Sequence, residues 1–398
     1  MTTAEQMRAW DGPAVLTYGF RPFFLGAAAW AMLAMILWMA MLAGHVTLPS
    51  AFDPVSWHAH EFLFGYLSAV LAGFLLTAVP NWTGRLPIVG WPLGGLFVLW
   101  LAGRIAVAVS VHLPPLAVAG ADLALPVVLG AVIAREIVAG RNWRNLIVLA
   151  MLAAFTLGNA VFHFEAVRGD HAAQGYGLRL GLGAAMMMIA VVGGRIVPSF
   201  TRNWLARRGP GRLPAPPMQG FDKIALLVLL ASLAMWVAVP QAAATASALA
   251  LAGMLHLVRL ARWAGGRTGA EPLLWVLHAG YAFLPVGALA LAAATLLPDL
   301  FGAAAAQHVW MAGAIGLMTL AVMTRATLGH TGRELTAGAG TTMLYLALVA
   351  AVVVRLAAGL WPMAAPALHG FSGLAWIAAF GGFASLYGPL LLGPRLRD

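Results

Sequence analysis

The sequence predicts a polytopic, all-helical membrane protein built as a bundle of about twelve transmembrane helices. Three observations lead there. Hydrophobic residues make up 62% of the 398 and charged residues only 9%, whereas soluble domains run near 45–50% apolar and about 25% charged. Twelve apolar stretches of roughly 20 residues, each able to cross a bilayer core of about 30 Å, follow one another along the chain. Basic residues gather on one side of those stretches, as they do in cytoplasmic loops. The same composition excludes a water-soluble enzyme, a disordered chain and a fibrous protein.

The spans fall, within a few residues, at about 22–44, 55–79, 90–111, 114–138, 143–165, 174–198, 221–240, 241–262, 271–297, 303–328, 340–360 and 366–392. The first twenty residues carry Glu5, Asp11 and Pro13 and lack the apolar core of a cleaved signal peptide, so the first span is expected to be retained. With the amino terminus inside, odd spans run outward and even spans inward. Of the 23 basic residues, all but Arg104, Arg168, Arg179 and Arg355 then lie at the inner side. Both termini are therefore expected in the cytoplasm. The net charge of +10 is read as this bias: the partner is the lipid bilayer, and no nucleic acid is expected. Segment 201–220, with four arginines and Pro210, Pro214, Pro216 and Pro217, reads as a cytoplasmic linker within a single bundle covering 1–398.

An internal repeat runs through the spans. His60 to Arg85 lies over His308 to Arg333 without a gap, so that His60 meets His308, Gly65 meets Gly313 and Thr83-Gly84-Arg85 meets Thr331-Gly332-Arg333. A third copy places Gly183, Pro198 and Thr201 on Gly65, Pro80 and Thr83. The copies imply three parallel four-helix units, about 22–138, 143–262 and 271–392, related by an axis along the membrane normal. Such a plan resembles the catalytic subunit of haem-copper oxidases.

With no cysteine in the chain, any metal must be held by histidine, methionine, carboxylate or backbone oxygen. Of the eleven histidines, only His256, His278 and His330 fall in the inner half. Ionisable groups inside a membrane are costly and tend to be functional or paired. Asp53-Pro54 caps the second span, and His58 and His60 follow inside it, two residues or roughly 200° apart. They cannot face one metal. His58 shares a face with Glu61 and Phe62, His60 with Phe64, so one is expected to serve a haem and the other a second partner.

His60 and His308, equal in depth, are the expected haem ligands, the alternative being hydrogen bonds to neighbouring helices. Arg104 and Arg355, at nearly equivalent repeat positions, suit haem propionates; the alternative is an ion pair such as Arg104 with Asp122. His58, His163 and His330 complete the candidate metal ligands. Glu61, one turn from His58, and Glu165, two residues past His163, are the candidate catalytic carboxylates for proton delivery. Against that stands a reading in which both cap helices or pair with Arg168 and Arg179.

The strings YGFRPFFLGAA (18–28), WHAHEFLFGYLSAVLAGFLLTAVPNWTGR (57–85), GGRIVPSFTRNW (193–204) and GLMTLAVMTRATLGHTGR (316–333) resemble the NnrS family over nearly the whole chain. The resemblance implies a bacterial inner-membrane protein that carries one or two b-type haems and copper and is linked to nitric oxide and nitrosative stress. Its histidine motifs fall at His58, His60, His308 and His330. The oxidase likeness departs in its details: the sixth and seventh spans lack histidine, and the tenth begins Gln307-His308. The expected function is haem-dependent reduction of nitric oxide to nitrous oxide, with membrane quinol as donor. The alternatives are a non-catalytic protein that senses or sequesters nitric oxide, and a secondary transporter. No acidic residue near the midplane supports the latter.

Overall fold

The computed structural model describes residues 10–84, 87–299 and 302–394. Among them there are helices and no strands. Twelve helices are long and apolar enough to cross a membrane: α1 Phe20–Leu42, α2 Pro54–Pro80, α3 Trp91–Ala108, α4 Pro115–Ala139, α5 Trp143–Val167, α6 Tyr176–Ala206, α7 Gly220–Ala238, α8 Ala243–Arg267, α9 Pro272–Leu296, α10 Ala303–His330, α11 Ala339–Leu360 and α12 Pro362–Leu392. In a bilayer every backbone polar group must be satisfied within its own segment, which is why helices this apolar are the outcome. Of the basic residues used for orientation, Arg8, Arg85, Arg395 and Arg397 lie outside the described residues.

Helix starts follow local chemistry. The Asp53 carboxylate accepts from the N–H groups of Val55 and Ser56, both at 3.0 Å, with Pro54 in the first turn, and α7 opens with a reciprocal Gln219–Asp222 capping box. Three helices widen into π turns: α2 at Glu61–Tyr66, α6 at Ile189–Gly193 and α10 at Val309–Leu317. Two of these begin directly after His60 and His308. Helix α6 runs on to Ala206, past Thr201 where the linker was expected to start. Pro198 fails to end it because its missing N–H comes just after a π turn, where the hydrogen-bond register has already shifted.

The chain forms two compact units. The first holds the described residues up to Ala184, with Ala326–Glu334 and those from Phe380 onward; the second holds Ala185–Arg325 and Leu335–Ala379. Within the first, α2 is the enclosed helix, with 83% of its apolar stretch buried against 22% for α1. The Arg21 side chain, itself buried, ends on backbone carbonyls of α12 and the residue after it, Leu391 at 3.0 Å and Gly393 at 2.5 Å.

Within the second unit a buried relay joins α7, α8 and α9. Arg259 donates to Asp222 (2.9 Å), to the π-turn carbonyl of Ala190 (2.9 Å) and to the Tyr281 hydroxyl (2.8 Å). That hydroxyl donates to His256 Nδ1 (2.8 Å), whose Nε2–H reaches the Ala225 carbonyl at 3.2 Å. Two of the three Arg259 nitrogens thus have acceptors, while Nη2 is buried without a hydrogen-bond partner.

Candidate metal centre

Four helices of the first unit bring charged groups to one buried point. Helix α2 supplies His60 and Glu61, α3 Arg104, α4 Asp122, and α5 Asn159 and His163; all lie below 9% exposure. Asn159 and His163 are four residues apart and so share one face of α5. Two glycines permit the approach. A Cβ at Gly65 would meet Arg104 Nη1 and lie 2.6 Å from Glu61 Oε2; one at Gly103 would come within 2.9 Å of the Asp122 Cα. Trp100 Nε1–H donates to the Gly65 carbonyl at 2.9 Å, satisfying a carbonyl of the π turn.

Arg104 ties both carboxylates, donating to Glu61 Oε1 and Oε2 at 2.7 and 2.6 Å and to Asp122 Oδ1. Asp122 Oδ2 faces His163 Nε2 at 2.9 Å, His60 Nε2 at 3.1 Å and the Asn159 amide N–H at 2.7 Å. His60 Nδ1 lies 3.0 Å from Glu61 Oε1, and its Nε2 also lies 3.0 Å from Asn159 Oδ1.

This geometry has a polarity consequence. A neutral imidazole has one N–H, yet both nitrogens of His60 face oxygen acceptors. With the proton on Nδ1, held by Glu61, the Nε2 lone pair points at two more lone pairs. A positive species at that point, a proton or a metal ion, resolves the conflict. Charge counting agrees: two carboxylates and one guanidinium leave one uncompensated negative charge in an apolar interior, which is expensive.

His60, Asp122 and His163 each offer a ligand atom, and those atoms lie within 4.8 Å of one another. Two imidazoles and a carboxylate suit copper or non-haem iron. Glu61 then takes the place of the carboxylate that orients a metal-bound histidine and fixes its tautomer.

The remaining candidates are distributed as follows. Glu61, expected beside His58, reaches His60 and Arg104 instead, drawn by the guanidinium that bridges it to Asp122. His58 stacks on Trp38 with ring centroids 4.3 Å apart and touches Phe62 at 4.8 Å. Arg104 makes the ion pair with Asp122 that was the alternative to a propionate contact. Glu165 accepts from the N–H groups of Tyr176 (2.6 Å) and Gly177 (3.1 Å), so it caps the start of α6. His330 lies half-buried against Phe20 (5.4 Å) and Tyr18 (6.3 Å).

In the second unit His308, on α10, donates Nδ1–H to the Ala304 carbonyl at 2.7 Å, which makes Nε2 its lone-pair nitrogen. Arg355 on α11 and His369 on α12 lie within electrostatic range of it. Asp122 and Asn159 were missed as site residues. The signal available was an aspartate in the outer third of an apolar span and the i, i+4 spacing of Asn159 and His163.

A haem does not fit His60 in this packing. Both ring nitrogens are engaged, and the rings of Phe52, Phe64, Phe162 and His163 stand 5.2–5.5 Å from its centroid, leaving no face for a porphyrin. A single ion fits. At His308 the hydrogen bond to Ala304 fixes the tautomer, and the nearby Arg355 supplies a cation.

A family model described as NnrS protein matches residues 14–395. The chain belongs to the NnrS family. A search of curated proteins finds no match to it. The match spans residues of both units and every candidate site residue, the His60–Asp122–His163 group included.

Proposed function

We propose that this family member is a metal-dependent membrane protein that reduces nitric oxide, with His60, Asp122 and His163 holding the metal ion. The observation that carries the reading is the convergence of three ligand atoms on a point that needs a positive charge. Copper is the ion that the family resemblance names. When bound it supplies a Lewis-acidic, redox-active point for a small, lipid-soluble gas. The protein's own contribution is positional. Glu61 keeps the proton on His60 Nδ1 and so presents Nε2; Asn159 orients Asp122; Arg104 offsets the carboxylate charge. Phe52, Phe64 and Phe162 keep water from the point, which strengthens every electrostatic contact there.

Turning two nitric oxide molecules into nitrous oxide and water takes two electrons and two protons. Glu61, already a hydrogen-bond acceptor beside the ligands, is the group placed to pass protons, and a membrane quinol is the proposed electron donor. Glu165, tied to two backbone amides, is not carried forward as a proton donor. A b-type haem is assigned to His308, with Arg355 at its propionates and His369 nearby. We place the chain in the bacterial inner membrane with both termini cytoplasmic.

The test supplies quinol and nitric oxide anaerobically to the purified protein and follows nitrous oxide. Production that depends on His163 and Asp122 supports reduction. Binding of the gas without consumption moves the protein to the sensing or sequestering class, and absence of any metal or haem favours a transporter.

A further inference from the structure

A second site lies in the second unit and shares no residue with the His60 group. A cavity of about 400 Å³ opens where the end of α8 meets the first turns of α9 and the segment between α6 and α7; Arg212, Leu260, Gly265, Arg267 and His278 are in its wall. Two features of that wall are unusual. Two arginines line the cavity, yet no residue lining it is acidic. And His278, only 8% exposed, has its Nε2 hydrogen-bonded to the Thr201 hydroxyl at 2.8 Å while its Nδ1 is buried with no hydrogen-bond partner. That orphaned nitrogen faces Gly265, where a Cβ would stand 2.6 Å from it. Gly265, itself in the cavity wall, leaves beside Nδ1 the room that a side chain would fill.

An unpaired buried ring nitrogen costs free energy comparable to a lost hydrogen bond unless a ligand completes it. The Thr201 hydroxyl can rotate to donate to Nε2, which puts the imidazole proton on Nδ1, on the Gly265 side of the ring. The arginines are pre-positioned by their own contacts. Arg267 donates to the Arg212 carbonyl at 2.6 Å, and Arg212 donates to the Ala261 carbonyl at 3.1 Å. Each guanidinium retains further N–H groups, since it carries five. His278 sits six residues past the start of α9, roughly 9 Å along the helix, so the site has a charged mouth and an apolar, histidine-tipped floor.

We propose that this cavity binds a phosphate-bearing anion, with Arg212 and Arg267 on the phosphate oxygens and His278 Nδ1–H donating from below. Planar guanidiniums match phosphate geometry with paired N–H bonds, and basic pockets between membrane helices take lipid head groups by the same chemistry. The phosphate can belong to an acidic phospholipid or be free in solution.

The experiment uses the full-length protein in detergent, titrated with phosphatidylglycerol or phosphatidylcholine and read by native mass spectrometry, with inorganic phosphate in a calorimetric arm. The expected result is one tight phosphatidylglycerol site, preferred at least tenfold over phosphatidylcholine. It weakens at least tenfold in R212Q/R267Q and in H278Q, and is unchanged in R168Q, an exposed arginine just past the end of α5 that does not line the cavity. If inorganic phosphate binds with the same dependence on these residues and phosphatidylglycerol shows no preference, the site takes free phosphate. Equal binding of both probes by wild type, R212Q/R267Q and H278Q overturns the proposal. R212Q alone, altering an exposed side chain, keeps the test valid if H278Q fails to fold.

Discussion

Replacing Asp122 by asparagine removes the residue on which the first unit's polar cluster turns. In the wild type its Oδ1 accepts from Arg104, and its Oδ2 accepts from Asn159 at 2.7 Å and lies 2.9 Å from His163 Nε2. The amide cannot serve both sides: with its oxygen toward His163, its NH₂ meets the Arg104 guanidinium, donor against donor. Taking one partner from a buried ion pair costs about 3–5 kcal/mol. The lower end applies here, because Arg104 keeps both Glu61 oxygens at 2.6–2.7 Å. D122N is therefore expected to be about 3 kcal/mol less stable and to lose the metal, one of three ligands having gone. D170N is the control: its partner Arg168 is 3.7 Å away and both side chains are at least 60% exposed, so about 0–1 kcal/mol is at stake. Denaturant titration in micelles and elemental analysis read the two effects. A D122N protein with full metal content and wild-type stability refutes the reasoning.

Glu61→Gln keeps the three ligands but weakens the grip on His60 Nδ1, so metal affinity should fall roughly 10- to 100-fold without the metal being abolished, as competition with a calibrated chelator would measure. His308→Ala should remove a haem absorption band while leaving the metal at His60, Asp122 and His163 in place; an unchanged spectrum contradicts the haem assignment. Glu165→Gln should lower stability by about 1 kcal/mol, the usual worth of a helix-capping contact, with metal content and nitrous oxide production unaltered. Reporter fusions at Gly209 and Asp170 should report cytoplasm and periplasm respectively, and both on one side would overturn the orientation.

The spans were legible because a bilayer leaves the sequence little choice. Every expected segment is a helix, and the start of α2 was marked by the Asp53 cap and Pro54. The end of α6 was not, since Pro198 reads as a stop unless the preceding π turn is known, and no periodicity announces a π turn. At the site, His60, Glu61, Arg104 and His163 were singled out because charge inside an apolar span is conspicuous. Their grouping was hidden. It depends on how α2, α3, α4 and α5 pack side by side, and on Asp122, which the sequence offered only as a partner for Arg104. Helical angle placed Glu61 with His58; the Arg104 guanidinium, invisible along the chain, placed it with His60. The orphaned Nδ1 of His278 had no sequence signal, since it depends on the turn that brings Gly265 against the ring.

The most direct test of the central claim is elemental analysis of the purified protein joined to pulsed electron paramagnetic resonance of any bound copper. One ion per chain coupled to two imidazole nitrogens, falling to one nitrogen in His163→Gln, is the result expected. A metal-free wild-type protein, or a copper signal indifferent to His60, Asp122 and His163, would contradict it.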